Sequence, residues 1–535
     1  MHSPLERGKG GVLGMPIKKT ILLLLFPITF FAQQKDTTAI RYSKVIMAAD
    51  LKTRLTIIAS DAFEGRETGK RGQKMAADYI QTQFKGFGIP PYKDSTYFQT
   101  YPLNMMMPVQ ADININDKKL IGNKDYYSFP GVNEQKIICN TVLFLGYGIE
   151  EEKYNDYKGV DVKGKTIMIL SGEPFDKDGN SMISGNKNPS LWSTYNKVKT
   201  EKARDAGAEA LLIVVDDVAK GIVDNKHSLE SPSLKLDLDK KEMPVIFISR
   251  EMANAILSEG PPSEKKQNTE KIVAKISKKG KPVKINVKTN LVIDIKNNIQ
   301  KIEAENVLAY LEGTDLKDEL IVITAHYDHL GKEGDVVFNG ADDDGSGTVA
   351  IIQLAQTFAI AKKEGHGPRR SILFMTVSGE EKGLLGSGYY SEHPVFPLKN
   401  TVCDLNIDMI GRQDEKHKNN PNYIYLIGSD KLSSQLHNIS EQANKLYSNL
   451  ELDYTFNDEK DKNRFYYRSD HYNFAKKGIP VIFYFNGVHA DYHKETDEVE
   501  KINFEKMEKI TRLVFFTAWE LANRNERIIV DSNKK

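Results

Sequence analysis

Beyond residue 290, continuous apolar runs alternate with helical segments, which predicts an α/β fold: a mainly parallel sheet flanked by helices. Between 130 and 285 the texture changes to short apolar runs broken by turn-rich polar segments, predicting an inserted, mostly-β module. Past residue 320, successive strand ends carry His, Asp and Glu, and in such sheets ligands sit at the carboxyl ends of the strands. At 535 residues the chain is too long for one ordinary core. The expected division is 1–33 as a leader, 34–129 as the N-terminal part of the main domain, 130–285 as the insertion, and 286–535 as the rest of the main domain.

The leader comes first. From Met15 the chain reads MPIKKTILLLLFPITFFAQQKD: two lysines, an apolar run from Ile21 to Phe31, then Ala32 and polar residues. That is the pattern of a secretory signal peptide, too short for a comfortable membrane span, with residues 1–14 an upstream extension. The expectation is an exported protein, periplasmic or secreted, with no stable membrane span. No cysteine follows the apolar run, which argues against a lipid anchor.

Residues 50–100 suggest helices, with a Gly-rich break from Gly65 to Gly72 and helical spacing at Ala76, Ala77, Ile80 and Phe84. The inserted module shows the runs TVLFLGYGI, KTIMIL, ALLIVV and PVIFIS, and one clear helix from Lys197 to Ala206 that ends at Gly207. In the main domain the strands are ELIVIT, SILFMTV, VCDLNID and PVIFYF. Helices are expected at 347–362, near 431–447 and at 504–523.

Charge excludes some functions. Lys plus Arg number 74 and Asp plus Glu 73, so there is no electrostatic footprint for nucleic acid or an anionic membrane. The lysine-rich stretch 263–284 reads as a solvated boundary. Cys139 and Cys403 are too few for a disulfide framework or a thiolate zinc site, and free thiols are expected. The sequence sets no oligomeric state.

Each strand end delivers polar residues. ELIVIT leads to His326, Asp328 and His329, and the next connection, NGADDDGSGT, carries Asp342, Asp343 and Asp344 within a frame of glycines. SILFMTV leads to Glu380 and Glu381, VCDLNI to Asp408, and PVIFYF to His489, Asp491, Tyr492 and His493, with Asp497 after them. Mixed imidazole and carboxylate donors without thiolate suit Zn²⁺, with Mn²⁺ or Co²⁺ as possible substitutes. The number of donors points to two ions, with one aspartate of the triple suited to bridge them. Two bound cations would also offset the repulsion among three adjacent carboxylates. A surface loop or a structural Ca²⁺ site is the plainer reading of the triple, but neither accounts for His326 and His493.

The stretches TAHYDHLG, NGADDDGSGT, SGEEKGLLGS, NIDMIGR, RSDHYNFAKKGIPV and YHKETDEV resemble, in order, the motifs of the di-zinc aminopeptidase and glutamate carboxypeptidase family of metallopeptidases, whose fold group includes the transferrin receptor. VKGKTIMIL and AGAEALLIVV are similar to the protease-associated domain that many members insert. The resemblance implies peptide substrates and two zinc ions. It implies that His326, Asp343 and Asp408 hold one ion and Glu381, His493 and Asp343 the other, with Asp343 bridging. It further implies that Glu380 is the general base, that Asp328 orients His326, and that an unusual peptide bond follows Asp343. Tyr466 is a weaker candidate for stabilising the oxyanion. His329, Asp470 and His471 lie in the motifs but read as structural.

An aminopeptidase releasing N-terminal residues is the leading expectation. A glutamate-releasing carboxypeptidase shares the motifs and would call for arginines at the substrate carboxylate, for which Arg412, Arg464 and Arg468 are the visible pieces. A glutaminyl-cyclase-like transferase would use one zinc, and an inactive receptor-like binding protein would lack ligands or Glu380.

Overall fold

The computed structural model describes residues 35–92, 96–108, 110–236, 242–258 and 267–532. The expected signal peptide lies outside them. Among the described residues no helix is long and apolar enough to cross a membrane. Both cysteines are free, and Cys403 is buried.

Nine strands form the main sheet: β1 (Phe98–Met106), β2 (Ser233–Leu236), β3 (Ile299–Leu311), β4 (Leu316–His326), β5 (Arg370–Val377), β6 (Thr401–Ile407), β7 (Tyr423–Ile427), β8 (Glu451–Asp453) and β9 (Val481–Phe485). Their order is β8-β7-β9-β6-β4-β5-β3-β1-β2. The interior β5-β4-β6-β9 is parallel, and every residue of β5, β6 and β9 is buried. Strands covered on both faces need no polar alternation, which is why these segments read as continuous apolar runs. Both flanks turn antiparallel, β3 against β5 on one side and β7 against β9 on the other, so the sheet is mixed.

Along β4, Ile321, Ile323 and Ala325 face a core capped by helices Gly347–Lys363 and Phe504–Asn523. Leu320 and Val322 face the opposite core with Tyr390 and Phe474. The two-residue period of the strand thus divides the domain into two helical layers. Register then levels the strand ends, with His326 opposite Val377, Thr324 opposite Asn406 and Ile407 opposite Tyr484.

The inserted module differs from expectation in two respects. Its eight-stranded sheet runs from Asp112–Ile115 to Lys284–Ile295, wider than 130–285, because those two strands pair with each other and the second also pairs with Gln135–Leu145. It is also less purely β. Its interior strands Gln135–Leu145, Thr166–Leu170, Ala210–Val215 and Val245–Ser249 are parallel. Helices Arg250–Leu257 and Thr269–Lys279 cover one face, and helix Asn196–Asp205 covers the other. The module also gives β2 back to the main sheet, where Leu236 pairs with Leu103.

One buried charge sets a pH dependence. Lys506 lies near the start of helix Phe504–Asn523 with its ammonium 3.5 Å from the centroid of the Tyr423 ring and no hydrogen bond. Burial pushes it down to about 7, although the carboxylates of Asp342 and Asp414 pull the other way. A lysine whose folded value is depressed destabilises the fold while it must stay charged, and the penalty fades as pH rises from 7 toward the ordinary lysine value. Lys506→Met therefore stabilises the protein, by on the order of 2 kcal/mol more at pH 6 than at pH 9, as measured by denaturant unfolding at the two pH values.

Candidate metal centre

The turn after β4 is built around glycine. Gly340 has φ 52°, and a Cβ there would lie 2.2 Å from the carbonyl oxygen of Asp343 and 2.5 Å from the His329 ring. At Gly347 a Cβ would meet Asp344 Oδ2 and the Ile407 carbonyl at 2.4 Å, so the helix starting there packs directly against the end of β6. The Asp343–Asp344 peptide bond is cis, at the position the resemblance indicated.

The three aspartates point to three different places. Asp342 accepts a hydrogen bond from the Gly411 amide at 2.6 Å and lies 3.2 Å from His489 Nε2. Asp344 accepts from the amides of Gly347, Met409 and His326, at 2.8, 3.1 and 3.3 Å, which joins the ends of β4 and β6 to the helix start. Asp343 alone faces the centre. The amides of Asp342 and Asp343 donate to Asp497 Oδ2 at 3.0 and 3.1 Å, so Asp497 holds the turn from behind.

Around Asp343 two groups of donors form. His326 Nε2 lies 3.3 Å from Asp343 Oδ1, 3.7 Å from Asp408 Oδ1 and 3.9 Å from Glu380 Oε2. His493 Nε2 lies 3.1 Å from Asp343 Oδ2 and 3.2 Å from Glu381 Oε2. Asp343 thus offers one oxygen to each group. His326 is oriented by the carbonyl oxygen of Asp328 at 3.1 Å from Nδ1, nearer than the Asp328 carboxylate at 3.8 Å. That carboxylate is held by Thr68 at 2.7 Å and by the Glu380 amide at 3.3 Å, so Asp328 positions Glu380 as well as His326. Ser469 donates to Asp408 Oδ2 at 2.7 Å.

Three residues differ from the sequence expectation. His329, expected to be structural, brings Nδ1 to 2.8 Å from Glu381 Oε1, and with Asp343 and Glu381 it forms a metal-competent trio. Its signal was its place three residues after His326. Tyr466 does not line the pocket, because its ring is packed against Tyr467, His471 and Tyr472. Tyr492, next to His493 and stacked on it at 3.9 Å, lines the pocket instead, together with Phe465, Arg468, Phe483, Phe485 and Val488. Asp470 and His471 stay in supporting roles, Asp470 bonded to Ser387 at 2.5 Å and His471 stacked on Phe483.

Arg66 connects the centre to the N-terminal segment. It is fully buried and donates to the carbonyls of Tyr327, Ile58, Asn339 and Gly340 at 2.7, 3.0, 2.6 and 2.9 Å. Burial lowers it to about 10, against the pull of Asp328, Asp343, Asp344 and Asp497.

Electrostatics shows what the cluster requires. Burial pushes the Glu380 carboxyl well above the usual range, and Glu381, Asp408 and Asp470 push it further against the opposing pull of His326. Burial works against the charged form of Asp343 too, yet His326 and His493 hold it well below that range. Conversely, Asp343 and Glu381 raise His493 to about 10 despite its burial. Carboxylates outnumber cations here, and the buried Nε2 of His329 has no hydrogen bond. Two metal-competent trios result, His326–Glu380–Asp408 and His329–Asp343–Glu381, and such imidazole and carboxylate donors fit divalent cations of the zinc type.

Residues 306–518 match the model of peptidase family M28, and residues 134–256 match the PA domain. Aminopeptidase YwaD of Bacillus subtilis is 25% identical over 376 residues, covering 69% of this chain and 64% of its own length. A probable zinc metalloprotease of Pyrenophora tritici-repentis is 29% identical over 264 residues, covering 41% of this chain and 52% of its own. Transferrin receptor protein 1 of Gallus gallus is 21% identical over 450 residues, covering 80% and 53%. The chain therefore spans between half and two thirds of these relatives. Among solved structures, an aminopeptidase from Aneurinibacillus sp. strain AM-1 shares the fold with a TM-score of 0.52 at 18% identity, over 92% of this chain and 98% of that one.

Replacing Arg66 with lysine keeps the charge but loses the fork that reaches four carbonyls. Arg66→Lys lowers the thermal midpoint and weakens zinc binding at least tenfold, read by thermal unfolding and by zinc titration against a competing chelator.

Proposed function

We propose that this chain, a member of peptidase family M28 with an inserted PA domain, is an exported zinc-dependent aminopeptidase. The observation that carries the proposal is the shared carboxylate of Asp343 between two imidazole–carboxylate groups, with Glu380 beside them facing the pocket. On this reading His326, Asp343 and Asp408 hold one zinc, and Asp343, Glu381 and His493 the other. Zinc bound there supplies Lewis acidity, lowering the pKa of water toward about 7 and polarising a carbonyl.

The chain's own residues do the rest. Glu380 takes a proton from the attacking water and returns it to the departing amine, with its backbone held by Asp328. Tyr492, kept protonated by burial and by the nearby Asp343 and Glu381 carboxylates, is the donor placed to stabilise the oxyanion.

The arginines bear on the carboxypeptidase alternative. Arg412 is engaged by Asp491 at 2.7 Å and lies 3.9 Å from Asp497. Arg464 faces Glu201 of the inserted module at 3.8 Å and stacks on Tyr467. Only Arg468 of the three lines the pocket, 3.4 Å from the Tyr492 hydroxyl. One arginine is a thin basis for binding a substrate carboxylate, so the aminopeptidase reading is the stronger.

Kinetics with free and N-acetylated peptides tests this. Cleavage of the free peptides alone, abolished by chelator and restored by zinc, is expected, whereas release of C-terminal residues from acetylated peptides supports the carboxypeptidase. Glu380→Gln lowers turnover by about 10²–10⁴ with its metal content retained. Tyr492→Phe lowers kcat by roughly 10²–10³, while Tyr466→Phe stays near the parent rate.

A further inference from the structure

A second set of metal-type donors lies outside the strand-end centre. In β8, Glu451 and Asp453 are two residues apart, so the strand period sets both carboxylates on one face, with Leu452 between them packed toward the main core. β8 is the edge strand of its sheet. Opposite stands His417, 5% exposed and fixed from three directions. Its ring is stacked on Tyr423 at 3.7 Å and meets Tyr425 edge-on. Its Nδ1 is 2.8 Å from Asp414 Oδ1, and the other oxygen of Asp414 accepts from the Tyr425 hydroxyl at 2.6 Å.

This arrangement leaves Nε2 buried without a hydrogen bond, 3.3 Å from Asp453 Oδ2 and 3.9 Å from Glu451 Oε1. Around a tetrahedral ion with N and O bonds of about 2.0–2.1 Å, neighbouring donors are about 3.3–3.4 Å apart; the His417–Asp453 pair already has that spacing, and the half-exposed Glu451 carboxylate, at 3.9 Å, would close by about half an ångström on an ion. A carboxylate on the far nitrogen is also what metal-bound imidazoles ordinarily have, since it fixes the tautomer and the ring orientation. The half-exposed Lys416 rests its ammonium against Asp453 Oδ2 and, at 3.0 Å, against Thr455. It supplies positive charge there and would have to turn toward solvent when an ion binds.

We propose that His417, Asp453 and Glu451 form a further site for a divalent cation of the zinc type, oriented by Asp414 and separate from the centre at Asp343. An ion there ties the edge strand to the segment that leaves Asp408. Along that segment the Gly411 amide bonds Asp342, and the Arg412 amide bonds Asn486 at 2.6 Å. The site therefore braces the catalytic loops without touching the reacting atoms.

The test is a zinc titration of the purified full chain, counting bound metal by elemental analysis after equilibrium dialysis at fixed free zinc. Glu451→Gln is the main variant, because that side chain is 55% exposed and its loss leaves the core intact. His417→Gln is the second. The parent chain is expected to hold one more zinc than either variant, with the extra ion bound at least tenfold more weakly in Glu451→Gln and its contribution to the thermal midpoint lost. Equal zinc content and affinity in the parent and in folded Glu451→Gln overturns the site. Because the readout is a difference between parent and variant, it stands whatever number of ions the Asp343 centre holds.

Discussion

The structure depends on concentrated buried negative charge at the strand ends. Asp328, Asp342, Asp343, Asp344, Asp408 and Asp470 are all buried, and Glu380 and Glu381 stand among them. Uncompensated, such a cluster is too costly to keep ionised. Backbone amides answer part of it, as at Asp344, and imidazoles and Arg66 answer more. What remains is directed at the space between His326 and His493, and on the proposed reading divalent cations would complete the balance there. On that reading catalysis and folding would share one requirement, since ions supplying Lewis acidity there would also offset the repulsion within the turn.

The rest of the fold keeps that geometry in place. Parallel register levels the ends of β4, β5, β6 and β9, so donors far apart in sequence arrive at one edge. Helices Gly347–Lys363 and Phe504–Asn523 cover one face, and Arg66 brings the N-terminal segment under the His326 turn. The inserted module reaches the same neighbourhood from outside, through β2 and through Glu201 facing Arg464.

Much of this was legible in the sequence where the physics is local. Buried parallel strands leave uninterrupted apolar runs, so β4, β5, β6 and β9 could be found, together with the polar residues that end them. The long helices at 347 and 504 were visible from their apolar spacing. Contacts made across the fold were not. Tyr466 looked suitable from its place before the SDH motif, but three aromatic neighbours turn it away from the pocket, and Tyr492 stands there because it adjoins His493. The reach of His329 to Glu381 joins the ends of two strands, a contact that no spacing along the chain reveals. The helices covering the inserted module were mostly missed because Arg250–Leu257 and Thr269–Lys279 are short and, in the second case, lysine-rich.

The central claim is that two cations share Asp343. X-ray diffraction from crystals of the zinc-loaded protein, collected on either side of the zinc absorption edge, tests it most directly. Two anomalous peaks are expected to flank the Asp343 carboxylate, one beside His326 and Asp408 and the other beside Glu381 and His493. A single peak, or none at Asp343 in fully zinc-loaded crystals, would contradict it.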